Sequence, residues 1–175
     1  LTHLEQRRPA TDADACAARN HAWRAFVEHA RPRCKGGWVE RSFAGNGELL
    51  DSRSQAYSGA FCDPDSWREG CGDLIRTIPF QLRSQLEAVS VDGTSGTLLA
   101  CNRDGCPLGD ALPYSQSCPE MQSALQALVD PSTPAASCSS SLARALRLLN
   151  CHGEVILLRH QADWISGWLL SDWRW

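Results

Sequence analysis

Nine cysteines among 175 residues constrain this chain more than any other feature of its sequence. Thiols at this density are typical of disulfides in an oxidising compartment or of metal sites. A zinc site would predict tight C-x2-C or C-x2-H pairs, and the sequence has none; the nearest pair, Cys101 and Cys106, has four residues between its members. We therefore predict disulfides, no metal site, and a secreted, periplasmic or organelle-lumen location. The odd count leaves one cysteine free or bonded to another chain.

The composition is that of a globular protein, with 43% apolar and 21% charged residues. A formal net charge of -3 gives no basic surface for nucleic acid or an anionic membrane. No apolar run reaches the roughly 18 residues that a spanning helix needs. The chain begins at Leu1 without a charged-then-apolar leader, which favours a mature or trimmed form. We predict one domain over residues 1–175, with no cofactor.

Hydrophobic spacing predicts an α/β (α+β) fold in which several short helices pack with a small sheet. The segment from Cys62 to Ser95 contains loop, helix, strand and the Asp92-Gly93 turn, so the rest of the chain is expected to be built around it. The predicted elements are a polar arm at 1–13, helices at 14–31, 73–87, 119–129 and 142–149, strands at 88–91, 97–101 and 154–158, and a long loop at 35–61.

Four of the seven tryptophans lie in the last thirteen residues, at Trp164, Trp168, Trp173 and Trp175. This Trp-rich tail, residues 163–175, has too many indole rings for a solvated terminus. Two interpretations remain open: the tail folds back onto the domain, or it docks on a partner chain or an interfacial surface.

The cysteine frame resembles that of the ADP-ribosyl cyclase / NAD glycohydrolase ectoenzyme family. Three blocks carry the resemblance, and together they cover about half of the chain: D-A-C-A-A-R-N-H-A-W-R-A-F-V-E-H-A-R-P-R-C at 14–34, the segment 62–95, and C-P-E-M-Q-S-A-L-Q-A-L with C-S-S-S-L-A-R-A-L-R-L-L-N-C within 118–151. The resemblance implies a two-lobed α/β fold held by disulfides, with Cys16–Cys34 and Cys118–Cys138 as pairs and with Cys62 and Cys71 also bonded. It also implies cleavage of the nicotinamide glycosidic bond of NAD.

Such chemistry needs aromatic walls and a carboxylate beside a positively charged ribosyl centre. The resemblance places the walls at Trp38 and Phe80 and the acidic segment at Glu48 and Asp51. Trp38 and Phe80 could equally be packing residues. The family's catalytic glutamate has no counterpart after the Asp92-Gly93 turn.

Two other acids are candidates for the catalytic role. Asp104 lies nearby in an R-D-G turn, and Glu154 heads the E-V-I-L-L strand. A turn residue and a solvated strand end are their ordinary interpretations.

Two functions therefore compete at this point. The first is an NAD-cleaving ectoenzyme. The second is a non-catalytic, disulfide-rich interaction or structural subunit of an extracellular or lumenal assembly that docks through its Trp-rich tail.

Overall fold

The computed structural model describes residues 22–26, 37–153 and 156–174. Within these ranges the chain has an α+β fold with two small sheets and five α-helices, which confirms the predicted class. The strands are β1 (Ala22–Phe26), β2 (Gly37–Phe43), β3 (Leu49–Ala56), β4 (Ala88–Asp92), β5 (Leu98–Cys101) and β6 (Leu157–His160). The helices are α1 (Pro64–Thr77), α2 (Phe80–Arg83), α3 (Gln122–Leu128), α4 (Ser141–His152) and α5 (Gln161–Leu170), with 3-10 turns at Pro119–Met121 and Pro134–Ala136.

The larger sheet has the strand order β3-β2-β1-β4. Strand β2 is antiparallel to both β1 and β3, whereas β1 and β4 are parallel and end together, with Phe26 opposite Asp92. Strands β5 and β6 form a separate antiparallel pair. The strand predicted at 97–101, after the Asp92-Gly93 turn, therefore exists as β5, but it pairs with β6 and not with the preceding strand β4.

Helix α1 begins where the sequence supplies a cap. The Asp63 carboxylate accepts from the backbone N–H of Asp65 at 3.0 Å, and Pro64 takes the first helical position, where no N–H is needed. The helix ends just before Pro79, because a proline disfavours helical backbone in the preceding residue. The buried face includes Trp67, Cys71 and Leu74.

Two hydrophobic cores meet at β5, which is buried on both faces, as its run of four apolar residues requires. The first core lies between the larger sheet, α1 and α5, and its largest members are Trp38, Tyr57, Trp67, Leu99, Trp164 and Ile165. The second lies under α3 and α4 and includes Leu98, Leu112, Met121, Leu125 and Leu148.

Two sequence predictions about the first third of the chain were wrong. Residues 22–26, within the predicted helix 14–31, form strand β1, because pairing with β2 and β4 on both sides outweighs the helical spacing. The predicted loop 35–61 contains the β2–β3 hairpin. The polar arm 1–13 lies outside the described residues.

The predicted disulfides are absent from the part of the chain that the structure describes. Cysteines 62, 71, 101, 106, 118, 138 and 151 are all free thiols, including the expected pair Cys118 and Cys138. Cys16 and Cys34 lie outside the described residues. Cys71, Cys101 and Cys118 are buried in the two cores, so they act as small apolar side chains and not as cross-links.

The Trp-rich tail is mostly helix α5 and its C-terminal extension, and it packs on the domain. Trp164 is buried and its Nε1 donates to the Gly105 carbonyl at 2.8 Å. Trp168 and Trp173 pack against the same core. Trp175 lies outside the described residues. Folding back is thus the observed arrangement for three of the four tryptophans. Within the described ranges, no helix has both the length and the apolar character needed to cross a membrane.

Candidate functional site

The parallel strands β1 and β4 reach the same edge of the larger sheet, and the chain leaves this edge through an unusually polar segment. Residues 92–97, D-G-T-S-G-T, connect β4 to β5, and we call them the β4 turn. Ligands of sheets with parallel strands bind outside the carboxyl ends of those strands. The β4 turn is therefore the place where the fold predicts a ligand site.

The β4 turn packs directly on the first turn of α5. A Cβ atom at Gly93 would lie 2.7 Å from the backbone nitrogen of Ala162, so a side chain there would clash with backbone. Gly96 has a φ of +85°, which L side chains rarely adopt, and a Cβ there would lie 2.9 Å from Arg144 Nη2. Both glycines are needed for the turn to keep this position.

A chain of buried hydrogen bonds holds the β4 turn from the inside. Thr94 donates to Gln161 Oε1 through its backbone N–H and its hydroxyl, each at 3.1 Å. The Thr97 hydroxyl lies 2.7 Å from the Thr94 hydroxyl and accepts from the backbone N–H of Tyr114 at 3.1 Å. Gln161 Nε2 donates to the Tyr57 hydroxyl at 3.2 Å. Burial raises the pKa of Tyr57, so the phenol at the end of this series of hydrogen bonds stays neutral.

Arg144, on α4, ties the same turn to two other segments. Its Nε donates to the Gly96 carbonyl at 2.7 Å. Its Nη1 donates to the carbonyls of Tyr114, Gln116 and Ser139 at 2.9 to 3.0 Å. The guanidinium is buried, and its hydrogen bonds go to backbone oxygens. The β4 turn is therefore anchored both by the buried chain of hydrogen bonds and by Arg144.

The outer side of the β4 turn offers hydrogen-bonding groups to solvent. Asp92 and Ser95 are exposed, whereas Thr94, Gly96 and Thr97 are buried. A carboxylate and a hydroxyl exposed on one short turn suit a ligand that carries several hydroxyl groups, because the carboxylate accepts hydrogen bonds and the serine can donate or accept. Among the described residues, no cluster of three or more His, Cys, Asp or Glu side chains is placed to hold a metal ion.

The two predicted aromatic walls lie in different environments. Trp38, on β2, is 1% exposed, and its Nε1 donates to the Trp67 carbonyl at 2.8 Å. Phe80, at the start of α2, is 69% exposed. A ring within the core and a ring in solvent do not face each other across one pocket.

The predicted acidic residues are also separated. Glu48 lies exposed beside the turn between β2 and β3, and Asp51 lies on β3, where it pairs with Arg53 at 2.6 Å. Asp104 is exposed in the turn at 102–106, and its backbone N–H donates to the Asn102 side chain at 2.9 Å. Glu154 lies outside the described residues.

Sequence reasoning missed a buried carboxyl group on β2. Glu40 is 3% exposed, the Ser42 hydroxyl donates to its Oε1, and its Oε2 has no hydrogen-bond partner among the described residues. Burial raises the pKa of Glu40; the nearby Asp51 raises it further, while the Ser42 hydrogen bond and Arg53 lower it. The alternation of β2 was the available signal, since Trp38, Glu40 and Ser42 share one face.

The raised pKa of Glu40 gives stability a definite pH dependence. The folded state holds the Glu40 proton more tightly than the unfolded chain does, and in the unfolded chain the pKa of this carboxyl group is the ordinary 4.5. The free energy of unfolding is therefore expected to fall as pH rises from about 4.5 through the folded-state pKa, and then to level off. Urea denaturation from about pH 4.5 to pH 8 measures this slope, and Glu40→Gln should flatten it. An equal slope in the variant would show that other groups cause it.

No protein-family model matches the sequence. Solved structures resemble it in fold. A glycerol kinase from Plasmodium falciparum, in a crystal structure with ADP, matches 83% of this chain and 34% of its own with a TM-score of 0.60 and 11% identity. A xylulose kinase from Brucella ovis matches 85% of this chain and 33% of its own with a TM-score of 0.61 and 10% identity.

These matches and the free thiols overturn the resemblance to ADP-ribosyl cyclases, and with it the NAD-cleaving function and its disulfide-rich alternative. The cysteine spacings resemble those of that family, but the chain adopts the fold of the two kinases over most of its length. The chain spans about a third of the length of the two kinases. At this identity the matches establish the fold alone: over most of its length, the chain folds like a part of glycerol kinase and xylulose kinase.

Proposed function

We propose that this chain forms the substrate-holding domain of a polyol or sugar kinase, with the β4 turn as the surface that binds the substrate's hydroxyl groups. One observation carries the proposal: exposed Asp92 and Ser95 lie at the carboxyl end of the parallel strands, on a turn that buried hydrogen bonds fix. The fold supports it, because the two neighbours are kinases named for glycerol and xylulose, which are both polyhydroxylated.

The chemistry of a kinase assigns a role to each exposed group. In phosphoryl transfer a substrate oxygen bonds to the γ-phosphorus of ATP, the bond from that phosphorus to the bridging oxygen breaks, and ADP leaves. The protein positions the reactants and supplies a carboxylate that accepts the hydroxyl proton. We assign this carboxylate to Asp92 and a hydrogen bond with a neighbouring substrate hydroxyl to Ser95.

Rigidity of the turn matters for this role. Small misplacements of a reacting group are costly, because most of the catalytic effect comes from orientation. Gln161 and Arg144 hold the turn without themselves reaching solvent, which fits positioning residues. Since the chain matches about a third of each neighbour, the proposal covers substrate binding and leaves the nucleotide to a second domain.

Binding of simple polyols tests the proposal. We expect glycerol and xylulose to shift the backbone amide NMR signals of residues 92–97, because their hydroxyl groups would contact Asp92 and Ser95. The matched control is 1-propanol, which has the three-carbon chain of glycerol and one hydroxyl, and which should leave these signals unchanged. Equal shifts with 1-propanol, or polyol shifts confined to other residues, would contradict the site.

A further inference from the structure

A cavity of about 220 Å³ lies beneath α1, away from the β4 turn. Trp38, Glu40, Cys71 and Leu74 form its buried floor. Leu86 and the 50% exposed Val89 lie at its rim, where a second apolar groove begins. None of its described lining residues belongs to residues 92–97, so the proposed kinase site does not use this cavity.

Among the described lining residues, Glu40 is the acidic one, and its neighbours are apolar. Its Oε1 is occupied by the Ser42 hydroxyl, and its Oε2 is buried without a partner among the described residues. A buried polar atom that makes no hydrogen bond is costly, and such atoms are rare in native structures. A ligand that brings the missing partner into the cavity would remove that cost.

The lining also determines the charge of such a ligand. Apolar walls make a charged molecule expensive to bury. Burial favours the protonated form of Glu40, and since Oε1 accepts from Ser42, Oε2 is the oxygen left to a ligand. Burial also raises the pKa of the Cys71 thiol to about 12, so the sulfur is neutral and binding is not covalent.

We propose that this cavity binds a small, neutral, mainly apolar molecule with one hydroxyl group, whose oxygen hydrogen-bonds to Glu40 Oε2. The volume supports a single ring, since an apolar cavity of roughly 150 Å³ accepts benzene. The ring packs against Trp38 and Leu74, and the hydroxyl reaches the carboxyl group. Specificity therefore comes from one hydrogen bond within an apolar enclosure.

Two probes with the same ring test the proposal. Fluorine NMR of 4-fluorophenol and fluorobenzene with the intact chain should show binding of both, with the phenol bound about tenfold more tightly. Glu40→Leu should bring the two affinities together, because the ring keeps its contacts and the hydroxyl loses its partner. Replacement of a buried carboxyl by a similarly sized apolar side chain is compatible with folding. Glu40→Gln, which keeps hydrogen-bonding groups, should retain the preference for the phenol.

A second variant locates the probe. Cys71→Met extends a larger side chain from the cavity floor and should weaken both probes, whereas Cys151→Met, at an exposed site on α4, should change neither. Several results would overturn the proposal: no binding of either probe to the native chain, a preference for the phenol that survives in Glu40→Leu, or tighter binding of 4-fluorobenzylammonium than of the phenol.

Discussion

Replacement of Asp92 by asparagine is expected to lower the rate of ATP-dependent polyol phosphorylation at least about 100-fold. Asparagine keeps the size and polarity of the side chain but cannot accept the proton that leaves the attacking hydroxyl. Binding of the polyol should change much less, because the amide still forms hydrogen bonds. Release of ADP in a coupled assay of the protein together with the domain that binds ATP measures the rate, and amide NMR shifts of the β4 turn measure binding.

Asp104→Asn is the matched control for this prediction. Asp104 is another exposed aspartate in a loop beyond a strand, and its turn is held by the Asn102 side chain. The rate is expected to stay within about twofold of the native value, as for other surface substitutions. A full rate in Asp92→Asn would place the catalytic carboxylate elsewhere. A raised KM with unchanged kcat would leave Asp92 with substrate binding alone.

The middle and end of the chain were easier to predict from sequence than the beginning. Strand β4 alternates between apolar and polar residues before a turn, β5 is a short apolar run, and helices α3 and α4 follow proline or serine signals, so local rules identify them. Strand β1 is different. Its A-W-R-A-F sequence fits a helical stripe, and only its partners β2 and β4 make it a strand. Strand β2 was missed because Glu40 and Ser42 are polar residues on a buried face.

The cysteine count led to the largest error. Density and spacing of cysteines are consistent with disulfides, but they do not distinguish a cross-link from a buried free thiol. In the described residues, Cys71, Cys101 and Cys118 occupy core positions in which a small apolar side chain packs well. The choice depends on which side chains come together, and that is a property of the whole fold.

Only part of the candidate site could be predicted from the sequence. The D-G-T-S-G-T segment indicates a turn after a strand, and its Asp92-Gly93 pair locates that turn. Its supports lie far away along the chain: Gln161 is 67 residues from Thr94, and Tyr57 is 104 residues from Gln161. No local pattern connects residues at such separations, so the buried hydrogen bonds that fix the turn could come only from the structure.

Replacement of Arg144 by methionine is expected to reduce the free energy of unfolding by about 3 to 5 kcal/mol. Methionine fills much of the same space, but four backbone carbonyls, those of Gly96, Tyr114, Gln116 and Ser139, lose their donor. An unpaired buried acceptor costs about 1 to 3 kcal/mol, and water can reach some of the four. Urea denaturation with an unchanged m-value measures the loss.

Arg147→Met provides the control on the same helix, one turn further along. Arg147 is 37% exposed and pairs with Glu120 at 3.5 Å, so its loss should cost less than about 1 kcal/mol. Arg144→Lys should recover part of the stability, because an ammonium has three donors but cannot reproduce the planar spread of a guanidinium. If Arg144→Met were as stable as Arg147→Met, the four carbonyls would be hydrated in the variant. Arg144 would then not anchor the β4 turn, and part of the physical basis for a rigid substrate surface at Asp92 would be lost.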